Sequence, residues 1–440
     1  MTDPVNLVVF YLATLLLLGF AGVHVATILF LIALLSALPT LGAGAVLNLG
    51  NLAWTTQNDF ILVSVPMFIL LGELLLRSGI SDRMYVALAA WTRGIPGGLL
   101  HTNIVASALF AATSGSSVAT AATIGTVALP AFRQRKYDER WVLGSLAAGG
   151  TLGILIPPSI NMIVYGAMTD TSIGRLFTAG VLPGIILTAI FMLLILSAAA
   201  LFPIASEREA PSNWRRRLTL LVDLLPPFLI FVVVMGSLYF GLATPTEAAA
   251  LGVIAALTLA FVYGKLKIAM LHEAFKSTVR TTAMVMLILV AAFFLNFVLS
   301  LLGVPQAIVT WVKGLGISPL QTIWLLFAIY LILGCFLETL SMMVCTIPIV
   351  TPLVVSVGYD PVWFGIFLVL MCELALVTPP VGMNLYVVQG IRGPGRKIED
   401  VIIGAAPFII AMSLLVVLLI YFPQLALWLP DQMYGKTGSR

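Results

Sequence analysis

The sequence predicts an all-α polytopic membrane protein. It has about ten transmembrane helices and two re-entrant hairpins, arranged as an inverted repeat. Three observations predict this class. Of the 440 residues, 61% are hydrophobic and only 9% are charged, with a mean hydropathy of +1.12, a composition of bilayer-crossing helices. Two long apolar segments are interrupted by Pro-Pro pairs, at Pro157-Pro158 and at Pro379-Pro380. The basic residues fall in clusters that assign most of them to one face of a membrane.

The apolar runs place spans at 5–18, 22–38, 60–77, 140–166, 175–202, 219–241, 246–263, 278–302, 361–390 and 401–423. Two further apolar stretches, 99–132 and 318–357, each carry a polar kink at the centre. In the first it is Thr113-Ser114-Gly115-Ser116-Ser117, and in the second Glu338-Thr339-Leu340-Ser341. The arms of 99–132 are shorter than the roughly 20 residues a full crossing needs. That stretch therefore reads as a re-entrant hairpin. Hydropathy alone also allows two spans in 318–357, and symmetry favours a hairpin. The short segments 46–57, 82–94, 266–276 and 304–314 read as arms lying along the membrane surface. The start, Met1-Thr2-Asp3-Pro4, lacks a positive n-region, so no cleaved signal peptide is expected.

Charge tests this threading. With both ends of 99–132 on the cytoplasmic side, five clusters fall inside: Arg77/Arg83/Arg93, Arg133/Arg135/Lys136/Arg140, Arg208/Arg215/Arg216/Arg217, Lys265/Lys267/Lys276/Arg280 and Arg392/Arg396/Lys397. These are 18 of the 22 Lys and Arg, and both termini are then outside. The chain divides into a first half 1–202 with hairpin 99–132 and broken helix 140–166. A basic cytoplasmic linker follows at 203–217. The second half, 218–440, has hairpin 318–357 and broken helix 361–390. The hairpins enter from opposite faces, which is what a two-fold axis in the membrane plane produces. An offset near 222 residues superposes the Pro-Pro pairs, the two arms that precede the hairpins, and Ser116-Ser117 on Glu338-Thr339.

Adjacent prolines remove two amide donors and break a helix. In hydrocarbon the freed backbone groups need other protein or a polar cavity. Paired interrupted helices therefore point to a binding site. Ser114, Gly115, Ser116 and Ser117 with Pro157, Ser159 and Asn161 form one expected half-site. Glu338, Thr339 and Ser341 with Thr378, Pro379, Gly382 and Asn384 form the other. Carbonyls, hydroxyls and helix ends suit a bare alkali cation such as sodium, and no Cys or His accompanies them. Glu338 is a mid-membrane acid and is functional by default. Glu73, Glu247 and Glu373 read as structural or interfacial carboxyls, and Asp170 and Arg175 as solvated residues at a span end. His24, His101 and His272 are isolated, and Cys335, Cys345 and Cys372 read as small buried hydrophobes. A net charge of +4, set against this hydropathy, gives no reason to expect nucleic acid as a partner.

The residues Phe110-Ala111-Ala112-Thr113-Ser114-Gly115-Ser116-Ser117-Val118-Ala119-Thr120 and Gly153-Ile154-Leu155-Ile156-Pro157-Pro158-Ser159 carry a family resemblance. So do Leu176-Phe177-Thr178-Ala179-Gly180-Val181-Leu182-Pro183-Gly184 and Thr378-Pro379-Pro380-Val381-Gly382-Met383-Asn384. Together they resemble the large membrane subunit of tripartite ATP-independent periplasmic (TRAP) transporters over nearly the whole chain. The resemblance implies an elevator fold, a scaffold plus a moving domain, and sodium-driven import of an organic acid in the bacterial inner membrane. The acid would be a C4-dicarboxylate, a sugar acid or a similar carboxylate. It also implies a small four-span membrane subunit, expected as a separate chain, and a periplasmic substrate-binding protein. Sodium ions would be the coupling ions, and no other cofactor is implied. Substrate would bind between the tips, at Ser116, Ser117, Asn161, Thr339 and Asn384. A stand-alone sodium–carboxylate symporter or an ion antiporter of related fold is the alternative. An enzyme would need paired acids, a metal cluster or a nucleophile–base pair, and the sequence presents none.

Overall fold

The computed structural model describes residues 10–435 apart from 12, 16, 20, 134, 136, 203, 205–212 and 394. Half of the expected first span and most of the 203–217 linker lie outside the described residues. The described residues are helical almost throughout. The first half runs α1 (Val25–Leu41), α2 (Leu49–Gln57), α3 (Ser64–Arg77), α4 (Ile80–Thr92), α5 (Leu99–Ser114), α6 (Ser117–Arg133), α7 (Glu139–Leu155), α8 (Ile160–Thr169) and α9 (Ile173–Leu201). The second runs α10 (Leu225–Tyr239), α11 (Pro245–Val262), α12 (Ile268–Leu301), α13 (Val304–Gly314), α14 (Pro319–Gly334), α15 (Thr339–Ser356), α16 (Pro361–Val377), α17 (Met383–Arg392), α18 (Glu399–Tyr421) and α19 (Gln424–Tyr434).

Both arms that precede a hairpin follow a left-handed glycine, Gly79 (φ 76°) and Gly303 (φ 67°). A left-handed residue ends one helix and lets the next leave in a new direction. α4 departs from α3 at 68° across Gly79, and α14 departs from α13 at 119° past a further left-handed glycine, Gly316 (φ 66°). The hairpin α5–α6 turns at Gly115 (φ 63°) and Ser116, and α14–α15 turns over 335–338. The broken helices follow, α7/α8 and α16/α17. Both Pro-Pro bonds are cis. Ile156 and Thr378, each one residue ahead of a proline, are extended, as proline demands of its predecessor.

The broken helices form the centre. In the α7–α8 span, 94% of the best apolar window is buried, against 22–28% for α9–α11 and the short helix ahead of α10, so the latter form the periphery. Every residue of α16 from Val362 to Val377 is buried. The two halves exchange their short helices. α8 packs on α15 and α16, and α17 packs on α6 and α7. α7 and α18 touch backbone to backbone at Gly144 and Gly404, where a Cβ on either would overlap a carbonyl. Arg392, at the end of α17, ties this centre to two helix starts. It makes paired 2.9 Å bonds to Glu139 and a 3.0 Å bond to Asp400, with Arg140 and Arg396 adding to the cluster.

The structure differs from the sequence reading in three places. The expected surface arm at 266–276 is not separate. It is the first part of the 34-residue helix α12, which continues through the span expected at 278–302. Helix α19, absent from that reading, follows α18. Arg175 is not solvated: it pairs with Asp431 of α19 at 3.1 Å and donates to the carbonyl of Gly435. Seven helices are long and apolar enough to cross a membrane among the described residues, or nine with the bent pairs, against about ten expected.

Candidate functional site between the hairpin tips

The first tip is tied to the first break. Gly115 needs its left-handed backbone, and a Cβ there would stand 2.9 Å from the Pro158 carbonyl oxygen. At Gly153 of α7 a Cβ would lie 2.6 Å from the Ser116 carbonyl. Only glycine lets the tip seat this closely. The Ser117 hydroxyl donates to the Thr151 carbonyl at 2.9 Å, and Ser114 and Thr120 share a 2.9 Å hydroxyl contact. Ser159 closes the break itself. Its hydroxyl donates to the Ile154 carbonyl at 2.6 Å and accepts from the Met162 amide at 3.4 Å. One side chain thus serves an orphan carbonyl ending α7 and an orphan amide opening α8.

The second tip is built on the same plan with a different cap. Glu338 is the N-cap of α15. One carboxylate oxygen accepts from the Ser341 amide and hydroxyl, both at 3.1 Å, and the other accepts from the Thr339 hydroxyl at 2.9 Å. The Val381 amide, in the second break, donates to the Cys335 carbonyl at 3.3 Å. The Thr378 hydroxyl turns back to the Leu374 carbonyl at 2.6 Å, and Gly382 holds a left-handed backbone (φ 28°).

A cavity of about 710 Å³ opens between the tips. Ser114 through Ser117, Asn161, Glu338, Thr339 and Ser341 all line it. Pro157, Ser159, Thr378, Pro379, Gly382 and Asn384 are not in its lining. Asn384 is fully buried and lies against the first half, where its amide donates to the Ala147 carbonyl at 3.1 Å. Two groups that the sequence reading set aside also line the cavity, His24 and Glu73. His24 caps α1 through a 3.3 Å bond from the Ala26 amide. Glu73 accepts from Ser277 at 2.6 Å and stands 3.1 Å from Arg77. A carboxylate within an apolar helix is the signal that marks Glu73. His24 carries no such signal.

The donor set is chemically consistent with an alkali cation. Serine and threonine hydroxyls, free carbonyls at helix ends and one carboxylate are hard oxygen ligands. Asn384 adds a buried side-chain oxygen with no hydrogen-bond partner, and Asn161 a buried amide nitrogen with none. Helix N-termini at both tips favour anions. Groups suited to a cation and groups suited to an anion therefore lie side by side.

An all-helical membrane chain whose two central spans break beside a cavity closed by two hairpin tips has the build of a membrane transporter. The chain belongs to the family described as "Tripartite ATP-independent periplasmic transporter, DctM component", whose model matches residues 12–425. It is 35% identical over 382 residues to the C4-dicarboxylate TRAP transporter large permease protein DctM of Pseudomonas aeruginosa, covering 86% of this chain and 87% of that one. It is 33% identical to the sialic acid TRAP transporter large permease protein SiaM of Vibrio cholerae, covering 86% of this chain and 88% of that one. The ectoine/5-hydroxyectoine permease protein UehC of Ruegeria pomeroyi is also 33% identical, with 85% and 87% covered. Among solved structures, the YdaH transporter of Alcanivorax borkumensis matches with a TM-score of 0.62 at 13% identity, covering 95% of this chain and 99% of that chain. That likeness concerns the fold alone. The chain is thus a multi-pass TRAP large permease and not an enzyme.

Proposed function

We propose that this permease imports an organic acid across a bacterial inner membrane, driven by a sodium gradient, by an elevator movement. The observation that carries the reading is the single cavity into which both hairpin tips and Asn161 project. Sodium is assigned to two half-sites. Ser114–Ser117 with the Pro157–Asn161 break form one. Glu338, Thr339 and Ser341 with the Thr378–Gly382 break form the other. Asn384 reaches the first from the second half. Cation binding there lowers the field met by an incoming carboxylate. The substrate sits between the tips, against Ser116, Ser117, Asn161 and Thr339.

The hairpins, broken helices and α18 form the moving body. The apolar outer helices α1, α3, α10, α11 and α12, with the arms, form the scaffold. The division of the chain at 203–217 and the inverted relation of its halves belong to this proposal. The family's tripartite description supports a separate periplasmic binding protein and a small membrane subunit as partners. The relatives' names support an acid as cargo, since they include C4-dicarboxylates, sialic acid and ectoine.

Substitution tests the ion assignment. Ser117→Ala and Asn384→Ala each remove one oxygen, a loss of about 1.4 kcal/mol per site, or about tenfold in the sodium concentration for half-activation of uptake. Normal folded yield with that shift is the expected outcome. Unshifted sodium activation in both variants refutes the assignment.

A further inference from the structure

Glu373 is a buried acid that the mechanism above does not use. It lies in α16, is 0% exposed, and neither carboxylate oxygen has a hydrogen-bond partner among the described residues. α16 packs against α7, α8, α9, α14, α15, α17, α18 and α19. The basic residues of those helices are Arg140, Arg175 and Arg392, and each is paired with another acid near a helix end. Of their acids, Glu139, Glu399 and Asp400 open α7 and α18, and Asp431 is held by Arg175. The buried tyrosines are committed elsewhere: Tyr165 donates to the Pro361 carbonyl and Tyr330 to Thr346, both at 2.7 Å. The remaining titratable side chains on these helices are the buried Cys345 and Cys372 and the exposed Tyr386, Tyr421 and Tyr434. An ionised carboxylate buried with neither a cation nor a donor is costly, so Glu373 holds a proton in this state.

Its place links it to the second tip and the second break. Glu373 stands six residues ahead of Pro379, as Thr151 stands six ahead of Pro157. The Thr151 carbonyl holds the first tip through Ser117. In the second half the residues on either side of Glu373 make the ties. Cys372 donates through Sγ to the Thr339 carbonyl at 3.6 Å, and the Leu374 carbonyl accepts from the Thr378 hydroxyl at 2.6 Å. The Cys372 thiol is within electrostatic reach of both Glu338 and Glu373. One turn further along α16, Leu376 lines the cavity. About 4.5 Å of helix rise thus separates Glu373 from a residue of the cavity wall.

We propose that Glu373 is a proton-binding site linked to the second sodium half-site: it holds a proton while that half-site is empty and releases it to the cavity when sodium enters. A bare cation among Glu338, Thr339, Ser341 and the Thr378–Gly382 break stabilises a second carboxylate behind them, because the interior between them screens charge poorly. The linkage is reciprocal. Sodium drives the proton off, and the proton weakens sodium binding. One cation replaces another, so the charge of the moving body is unchanged by the exchange. Raising the pH removes the competitor and favours sodium. Sodium remains the driving ion, and pH sets how much of it the permease requires. The inference rests on the sodium assignment above and adds a regulator to it.

Proton counting tests it. The purified full-length permease, in choline chloride, is titrated calorimetrically with sodium chloride in two buffers of different ionisation heat, which gives the protons released per sodium bound. The expected result is proton release in the wild type, with the sodium concentration for half-saturation falling about tenfold from about pH 6 to about pH 8. Glu373→Gln keeps the shape of the neutral acid. It should fold, bind sodium without that release, and lose the pH dependence. If it does not fold, sodium-induced difference infrared spectra of the wild type decide: loss of a neutral-carboxyl stretch supports the inference, and an unchanged stretch overturns it. Proton release that persists in Glu373→Gln belongs to another acid and overturns the inference. Sodium binding by the wild type without proton release overturns it too, while leaving the sodium assignment standing. No sodium binding at all overturns both.

Discussion

Ser159 shows how much a single hydroxyl does at a broken span. It satisfies the Ile154 carbonyl, which Pro158 leaves without its helical donor, and it caps the helix beyond. Ser159→Ala should cost about 2 kcal/mol, the sum of a lost cap and an unpaired buried carbonyl, and lower the melting temperature of the purified protein. Ser159→Thr should recover most of the loss. Gly115 and Gly153 act by having no side chain. Gly153→Val should prevent the first tip from seating and abolish uptake while leaving a chain that still inserts, measured by membrane yield beside transport. These residues were legible in the sequence because proline, glycine and serine declare local backbone events. His24 was not, and Glu73 carried only the general mark of a carboxylate in an apolar helix. Their place at the cavity depends on how α1 and α3 stand against hairpin tips more than 40 residues away in sequence. Asn384 was legible as a break residue. Its partner Ala147 was not, because no local signal says that α17 crosses to the other half.

At the scale of elements, the helix ends at the two Pro-Pro pairs and at Gly115 fall where the sequence placed a proline or glycine, whereas the turn over 335–338 has neither and is marked only by the polar Glu338. The outer elements were less legible. Lys267, His272, Glu273 and Lys276 make 266–276 look like an arm, yet α12 runs unbroken for 34 residues. That is about 51 Å of helix against about 30 Å of hydrocarbon, so its charged end stands clear of the apolar layer. α19 mixes Trp428, Pro430 and Asp431, and its pairing with Arg175 is visible only in three dimensions. The start of α7, the end of α17 and the start of α18 are held by Arg392, whose side chain is 4% exposed, while its partners Glu139 and Asp400 are 47% and 30% exposed. Arg392→Met removes the cation shared by Glu139 and Asp400 and leaves them only their exposed partners Arg396 and Arg140. Because those partners are wet, the expected cost is about 2 kcal/mol, below that of a fully buried pair. Thermal unfolding of the purified variant, with Glu139→Gln added to relieve the repulsion, checks the sign.

For the whole molecule, the proposed function couples a cavity between two tips to an ion gradient and a delivery protein. If sodium binds the folded protein, sodium should protect it from heat where potassium at equal ionic strength does not. At a hundred times the dissociation constant the gain is about 2.7 kcal/mol. The central claim is tested most directly by uptake into proteoliposomes holding this chain with its small membrane partner. Purified binding protein, loaded with a labelled acid that it retains, is added outside with and without an inward sodium gradient. The account predicts accumulation only when sodium and binding protein are both present. Accumulation that needs sodium but ignores the binding protein would contradict it and make the chain a stand-alone symporter.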